Sequence, residues 1–385
     1  MDIKATFRNS TIWPPHKVFC VVAWDGAFYV DHVFPFGLAT APGIQGCVAD
    51  ATVNILAFLE IAPVFKWVDD FSFLHEPCST VMHEDGSMTH SYAYSLVDII
   101  RLTGRLGIPW HPVEKKGHDF TFSAVYVGFN WDLECRAVSL PERKRLKYLA
   151  RVTTYLSASK VSLEDTMKVH GTLQHVSFVL VAGNSYLPSL SRAIKAFKDD
   201  RHRRHHVARD VRADLSWWQQ ALAAALISRS LLPHTLLDPD IWVDASTSWG
   251  VGLVVKGRWA AWQLLAGWQA EDRDIGWAEM VAMELAVLWI QSAGIRDSKV
   301  SVHGDNMGVL GALKKGRSRN MARNLCIRRI STILMPSNVL LDPVYVTSET
   351  NLADACSRGE LGTEEMRLSI AFVLPAALIP FIRNV

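Results

Sequence analysis

Four acidic residues in the last third of the chain stand where apolar segments end or polar ones begin. Asp244 closes an apolar run at 241–245, Glu279 lies in the first turn of a helical pattern over 277–291, Asp305 follows an apolar run at 299–303, and Asp354 sits in a polar segment at 351–357. Mg²⁺ prefers carboxylate, water and phosphate oxygens in near-octahedral geometry. Two such ions activate a water and stabilise the leaving oxygen of an in-line displacement, the chemistry of phosphodiester cleavage. Acids brought to one side of a sheet repel one another unless a cation joins them, so the set implies a divalent metal. Glu284, on the same helical pattern as Glu279, competes for the place of the helix carboxylate. A second acidic set comes early: Asp2, then the adjacent pair Asp69 and Asp70 between apolar segments at 64–68 and 71–74. That pattern predicts a hairpin with carboxylates at its tip.

The elements that must hold these acids follow from periodicity and turn signals. Asp25-Gly26 between apolar runs at 18–24 and 28–34 reads as a hairpin. A helix is expected over about 43–59, a polar loop over 75–91, a helix over 92–106 and strands around Gly128 over 121–131. From Pro141 the pattern turns helical, over 142–157, 162–182, 186–198 and 215–226, with 199–212 as a charged linker or exposed turn and Ser162 with Asp165 as a capping box. After 236 the period changes again. Strands at 241–245, 250–255 and 259–265, a helix, a strand at 299–303, helices at 307–313 and 321–334, a strand at 339–346 and a last helix from 351 to 357 predict a mixed α/β sheet.

The chain has 385 residues, 49% of them hydrophobic, enough for two or three domains with their own cores. The net charge of +2 neither demands nor excludes a nucleic acid partner, but the basic residues are clustered. Residues 143–151 carry Arg143, Lys144, Arg145, Lys147 and Arg151. Residues 195–212 carry Lys195, Lys198, Arg201, Arg203, Arg204, Arg209 and Arg212. Residues 314–329 carry Lys314, Lys315, Arg317, Arg319, Arg323, Arg328 and Arg329. Such runs bind phosphate backbones through counterion release. The six cysteines include no CxxC pair and read as buried thiols of a reducing compartment. No apolar run is long enough to cross a bilayer, so an intracellular protein, cytoplasmic or nuclear, without membrane contact is expected. Fourteen tryptophans serve packing, with Trp217-Trp218 expected at a domain joint.

Asp244-Ala-Ser-Thr, Glu279-x-x-Ala282, Asp305-Asn306 and Asn351-Leu-Ala-Asp354-Ala-Cys-Ser-Arg358 resemble, in order, spacing and context, the ribonuclease H domain of retroelement polyproteins. The resemblance implies that Asp244, Glu279, Asp305 and Asp354 are ligands of two Mg²⁺ or Mn²⁺ ions. Glu279 is preferred to Glu284 because Ala282 and Ala286 fall where the family has small residues. The family's histidine before the last acid is replaced by Thr347-Ser348-Glu349-Thr350.

The first third resembles a reverse transcriptase palm. The residues that carry the likeness are 2–8 around Asp2 and Phe7, 34–42 around Phe36-Gly37, the Asp69-Asp70 pair, and Val127-Gly128-Phe129-x-Trp131. By that resemblance Asp2 and Asp69 hold catalytic metals, Asp70 supports the site, Phe7 lies under the incoming sugar, and Phe36 and Gly37 border nucleotide and template. The likeness enters at Asp2, ahead of which the family places fingers, so a truncated copy or partial gene product is expected, with DNA synthesis impaired.

The expected class is α/β. It comprises an α+β palm at 1–140 without fingers, helical thumb and connection at 141–236, a ribonuclease H-like domain at 237–362 and a tail at 363–385. The implied activity is two-metal hydrolysis of the RNA strand of RNA–DNA hybrids. Its partners would be hybrid, primer–template and, if the polymerase is competent, dNTP. The alternative is a non-catalytic nucleic-acid-binding relic of a retroelement, of long-terminal-repeat or tyrosine-recombinase type.

Overall fold

In the computed structural model the chain is mixed helix and sheet, an α/β protein, and divides into two compact units, Met1–Cys135 and Arg136–Val385. Every residue except 199, 201 and 225 is described. Two residues of the expected 199–212 segment, Asp199 and Arg201 of the second basic run, therefore lie outside the described residues, as does one of the expected helix over 215–226.

The first unit pairs short antiparallel strands around one long helix. Strands β1 (Val21–Trp24) and β2 (Ala27–Val30) meet across Asp25-Gly26, whose φ values of 48° and 75° are the left-handed geometry that Asp-Gly turns accept. Helix α1 (Ala41–Phe58) leads to β3 (Val64–Trp67) and β4 (Asp70–Phe73), paired so that Trp67 faces Asp70 across Val68-Asp69. Residues 75–91 do not form a polar loop. They contain β5 (Ser79–Met82) and β6 (Met88–Ser91), and Asp85 closes their turn by accepting from the Ser87 amide and hydroxyl. Polar composition hid this hairpin because both its faces are largely exposed. Helix α2 (Leu96–Arg105) starts in a Ser95–Asp98 capping box, and β7 (Ser123–Tyr126) and β8 (Phe129–Asp132) form the hairpin around Gly128. The unit's core is small: Ile3, Ala49 and Phe71 in one cluster, Leu56, Ile61 and Ile99 in another.

The second unit opens with β9 (Ala137–Ser139) and a helical layer: α3 (Glu142–Ser157), β10 (Lys160–Ser162), α4 (Leu163–Val176), α5 (Pro188–Ala196), β11 (Arg204–His206) and α6 (Arg209–Ala223). The expected linker is largely structured, since β11 pairs with β10 and α6 already begins at Arg209. Strand β12 (Ser228–Ser230) returns to pair with β9.

The sheet follows: β13 (Thr235–Leu237), β14 (Ile241–Ala245), β15 (Gly250–Val255), β16 (Arg258–Leu264), helix α7 (Ile275–Ser292), β17 (Ser298–Gly304), α8 (Met307–Lys315), α9 (Met321–Leu334), β18 (Leu340–Tyr345), α10 (Asp354–Ser357) and β19 (Ile382–Asn384). Strands β14, β15 and β16 are antiparallel neighbours, β17 lies parallel to β14, and β18 parallel to β17. Strand β13 joins the first half of β17, and the expected tail supplies β19 along the outer edge of β16. The last helix is a single turn, preceded by a tight 3₁₀ turn at Ser348–Thr350, rather than a helix from 351.

Burial decides this arrangement. All six residues of β15 are buried, and α7 is buried at fourteen of its eighteen positions. A helix apolar on nearly every side must be covered on every side. The sheet covers one flank and α9 the other, in one core that runs from Ile241 to Ile382. The helical layer is tied to this core through α9, whose Asn324 Nδ2 donates to the Ser185 carbonyl at 2.7 Å. Trp218 is fully buried with Gly183 against it, where a Cβ would lie 2.1 Å from the ring, and Trp217 stacks on Tyr186 at 3.9 Å. Arg328 of α9 lies over that Tyr186 ring at 4.3 Å, bonds the Ser185 carbonyl and pairs with Asp214 of α6 at 2.8 Å.

Candidate metal centre

Strands β14 and β17 are parallel neighbours, so their carboxyl ends emerge on the same side of the sheet, the edge at which open α/β sheets place their ligands. Asp244 is the penultimate residue of β14, and Asp305 follows the last residue of β17. Helix α7 begins at Asp274, whose carboxylate caps the Trp277 amide, and its fifth residue is Glu279. One carboxylate oxygen from each of Asp244, Glu279 and Asp305 lies within 4.8 Å of the others. Among the described residues, none of these three acids has a lysine, arginine or histidine ion-pair partner.

The electrostatics are those of a cation site. Burial, with Asp305 and Asp354 nearby, pushes Asp244 up to about 6, against the Ser357 hydroxyl that holds it down. Burial and the charges of Asp244 and Asp305 push Glu279 up to about 9, opposed by the Ala245 amide and the Asn306 side chain. Three converging carboxylates, two of them buried and disfavoured in their charged form, make an oxygen donor set that a divalent ion fits. Asp244, Glu279 and Asp305 would hold such an ion.

The hydrogen bonds that aim these acids come from 348–357. Ser357 Oγ donates to Asp244 Oδ2 at 2.5 Å, and Asn351 Nδ2 bonds Asp244 Oδ1 at 3.3 Å and the Val243 carbonyl at 3.1 Å. Ser348 Oγ donates to Asp305 Oδ2 at 2.5 Å. Sequence reasoning named Asn351 only as context for Asp354 and assigned the serines no role. The order Asn351, Asp354, Ser357 along a chain turning beside β14 was the available signal.

Asp354 is placed differently. It is close enough to raise Asp244, but it lies outside the three-acid group, and its carboxylate accepts Arg358 Nε at 3.0 and 2.9 Å and Nη2 at 2.9 Å. Glu284, the competing helix acid, faces away from the centre. It is fully buried and paired with Arg329 at 2.5 and 2.7 Å, an ion pair between α7 and α9.

In the first unit Asp2 forms an antiparallel bridge with Asp70, and the Ile3 amide bonds the Asp69 carbonyl. The three acids of that set are therefore neighbours. Burial, then the charges of Asp69 and Asp2, raise Asp70. Asp2 Oδ2 pairs with Lys116 Nζ at 3.2 Å, while its buried Oδ1 has no hydrogen-bond partner and lies 3.4 Å from His111 Nε2. Phe7, on a 3₁₀ turn, meets the exposed Phe36 edge-on at 5.7 Å, and Gly37 turns the chain with φ of 94°.

Several residues of the basic runs are occupied within the fold. Arg145 is buried against Glu142 and the Leu222 carbonyl, and Arg151 donates to Thr172. In the third run Arg323 pairs with Asp274, Arg328 with Asp214 and Arg329 with Glu284, while Lys314, Lys315, Arg317 and Arg319 are exposed. The cysteines also depart from expectation: Cys326 and Cys356 are buried, but Cys47, Cys78 and Cys135 are exposed and Cys20 is half-buried, all as free thiols. Among the described residues no helix is long and apolar enough to cross a membrane.

No protein-family model matches the chain, and no curated protein matches it. Solved structures of the foamy viral protease-reverse transcriptase overlap it weakly. The complex with RNA/DNA hybrid is 13% identical, with a TM-score of 0.42, over 97% of this chain and 46% of that one. The dRH form with double-stranded DNA is 14% identical, with a TM-score of 0.43, over 90% of this chain and 56% of that one. The complex with double-stranded DNA is 13% identical, with a TM-score of 0.41, over 90% and 67%. The chain thus spans about half the length of the first two. Similarity this low carries no conclusion about activity.

Proposed function

We propose that the second unit is a metal-dependent nuclease that hydrolyses the RNA strand of RNA–DNA hybrids, and that the chain derives from a retroelement polyprotein. The observation that carries the reading is the convergence of Asp244, Glu279 and Asp305, within 4.8 Å and without a cationic partner among the described residues, at the carboxyl edge of a mixed sheet. The resemblance of the four acidic motifs to retroelement ribonuclease H supplies the substrate class. Divalent ions, when bound, supply the Lewis acidity that activates a water and steadies the leaving oxygen. The protein's part is to present oxygens in fixed positions. Asp244 is held by Ser357 and Asn351, Asp305 by Ser348, and Glu279 by its place in the first turns of α7. Asp354 is the fourth ligand in this reading, available once Arg358 moves aside.

Helix α8 begins at Asn306 and its nine residues span about 13 Å at 1.5 Å per residue, ending in Lys314 and Lys315. Those two, with Arg317 and Arg319, are suited to grip phosphates flanking the bond at the metal centre. In a hybrid the 2′-hydroxyls and groove shape distinguish the RNA strand.

For the first unit we propose the architecture of a polymerase palm with weak or no DNA synthesis, because one oxygen of Asp2 is already paired with Lys116. The reading is tested by incubating the chain and Mg²⁺ with strand-labelled RNA–DNA, RNA–RNA and DNA–DNA duplexes of one sequence. Cleavage confined to the RNA strand of the hybrid is expected. Equal cleavage of double-stranded DNA would contradict the substrate assignment, and no cleavage of any duplex would move the chain to the non-catalytic alternative.

A further inference from the structure

We propose that Arg358 is a charge latch on Asp354, competing with a divalent cation for the fourth carboxylate; this rests on the metal-centre reading above. Among the described residues three of the four acids have no cationic partner, while Asp354 accepts from Nε and Nη2 of one guanidinium, at 2.9 to 3.0 Å. The Nε–H is shared between both oxygens and Nη2–H takes Oδ1, so both oxygens of Asp354 are engaged while Arg358 stays. The residue nevertheless sits beside the centre: Ser357 Oγ lies 2.5 Å from Asp244 Oδ2 and 2.8 Å from the Asp354 carbonyl oxygen.

The backbone of the last turn cannot supply the freedom needed. Asn351 and Ser357 tie it to β14 from both sides of Asp354, and the Gly252 Cα lies against Cys356, Ala353 and Ser357 with no space for a Cβ. What can move is Arg358, whose side chain is 57% exposed and bound to no other residue's side chain among the described ones. An exposed pair four residues apart is weak, so the latch opens at small cost. The centre is thus preassembled for one ion at Asp244, Glu279 and Asp305, and a further ligand appears when the guanidinium leaves Asp354. Arg358 is a positioning residue: it acts through Asp354.

The test is titration of the full chain with Mn²⁺, reading free ion by electron paramagnetic resonance, for wild type, Arg358→Leu, Arg358→Lys, Asp354→Asn, the Leu/Asn double variant and Asp305→Asn. Arg358→Leu is expected to bind an additional ion, or the same ion, about threefold to tenfold more tightly, since both the pair and the repelling charge are gone. Lysine, a point charge without the guanidinium fork, should fall between. The gain should vanish in the double variant, which should titrate like Asp354→Asn. A purely structural role for Arg358 predicts loss rather than gain. An Arg358→Leu curve that coincides with wild type, in a protein whose Mn²⁺ binding depends on Asp305, would overturn the latch alone. Wild-type binding that Asp305→Asn leaves intact, or no binding, would overturn the metal centre and the latch with it.

Discussion

Glu279 and Asp244 link metal affinity to pH. Both carboxyls lie above their usual range, Glu279 at about 9 and Asp244 at about 6, chiefly through burial. In the metal-free chain they keep protons that the unfolded chain has released, so their contribution to stability is full below the ordinary carboxyl range. It is lost as pH rises, for Glu279 progressively up to about 9. A cation binds the ionised forms, so metal affinity should climb over the same window and protons should be released on binding. Glu279→Gln should stabilise the metal-free protein at mildly alkaline pH by about 2 kcal/mol, each pK unit being worth about 1.4 kcal/mol and residual water reducing the total. Melting temperature against pH, with and without Mg²⁺, checks this; a metal-free Tm that rises with pH and an unchanged variant would contradict it. These acids were legible in the sequence because carboxylates in apolar strands and in an apolar helix need a reason to be there. Ser357 and Ser348 were not, since a serine's partner is set by where the chain folds.

At the scale of elements, the close approach of α10 to β15 positions the centre. A Cβ at Gly252 would lie 2.6 Å from Cys356 Sγ, 2.7 Å from the Ala353 carbonyl and 2.8 Å from the Ser357 amide. Two of those are backbone atoms, so Gly252→Ala must push the last turn away and carry Ser357 and Asn351 off Asp244. We expect a stability loss of about 1–3 kcal/mol and a drop in Mn²⁺ affinity of roughly 10- to 100-fold, the usual effect of losing partners that orient a ligand. Thermal unfolding and Mn²⁺ titration check both; unchanged affinity would mean that α10 does not aim Asp244. The long elements, α1, α3, α7 and α9, follow their apolar spacing closely. The short ones do not. Strands β13 and β19 exist because the edges of β17 and β16 are there to receive them, and β11 because β10 is. Likewise Arg323, Arg328 and Arg329 read as a phosphate-binding run until the fold brings Asp274, Asp214 and Glu284 to them from distant segments.

For the whole molecule, the larger unit holds the extensive core and the acids that have no cationic partner among the described residues, and the smaller one has modest cores and much exposed apolar surface, including Trp13, Phe19, Trp24 and Phe28. The division of labour proposed here follows: hydrolysis in Arg136–Val385, with little or no synthesis in Met1–Cys135. The helices over 142–223 and the sheet fall in one compact unit, and the contacts that join them, Arg328 with Asp214 and Asn324 with the Ser185 carbonyl, link segments far apart in sequence, which no local pattern displays. The most direct test is Mg²⁺-dependent cleavage of a hybrid labelled on its RNA strand, by the wild-type chain and by Asp305→Asn. Cleavage by the wild type is expected, with a loss in the variant greater than the roughly 100-fold typical of removing an outer partner of a metal ligand. Cleavage that persists in a folded Asp305→Asn protein would contradict the metal centre as described.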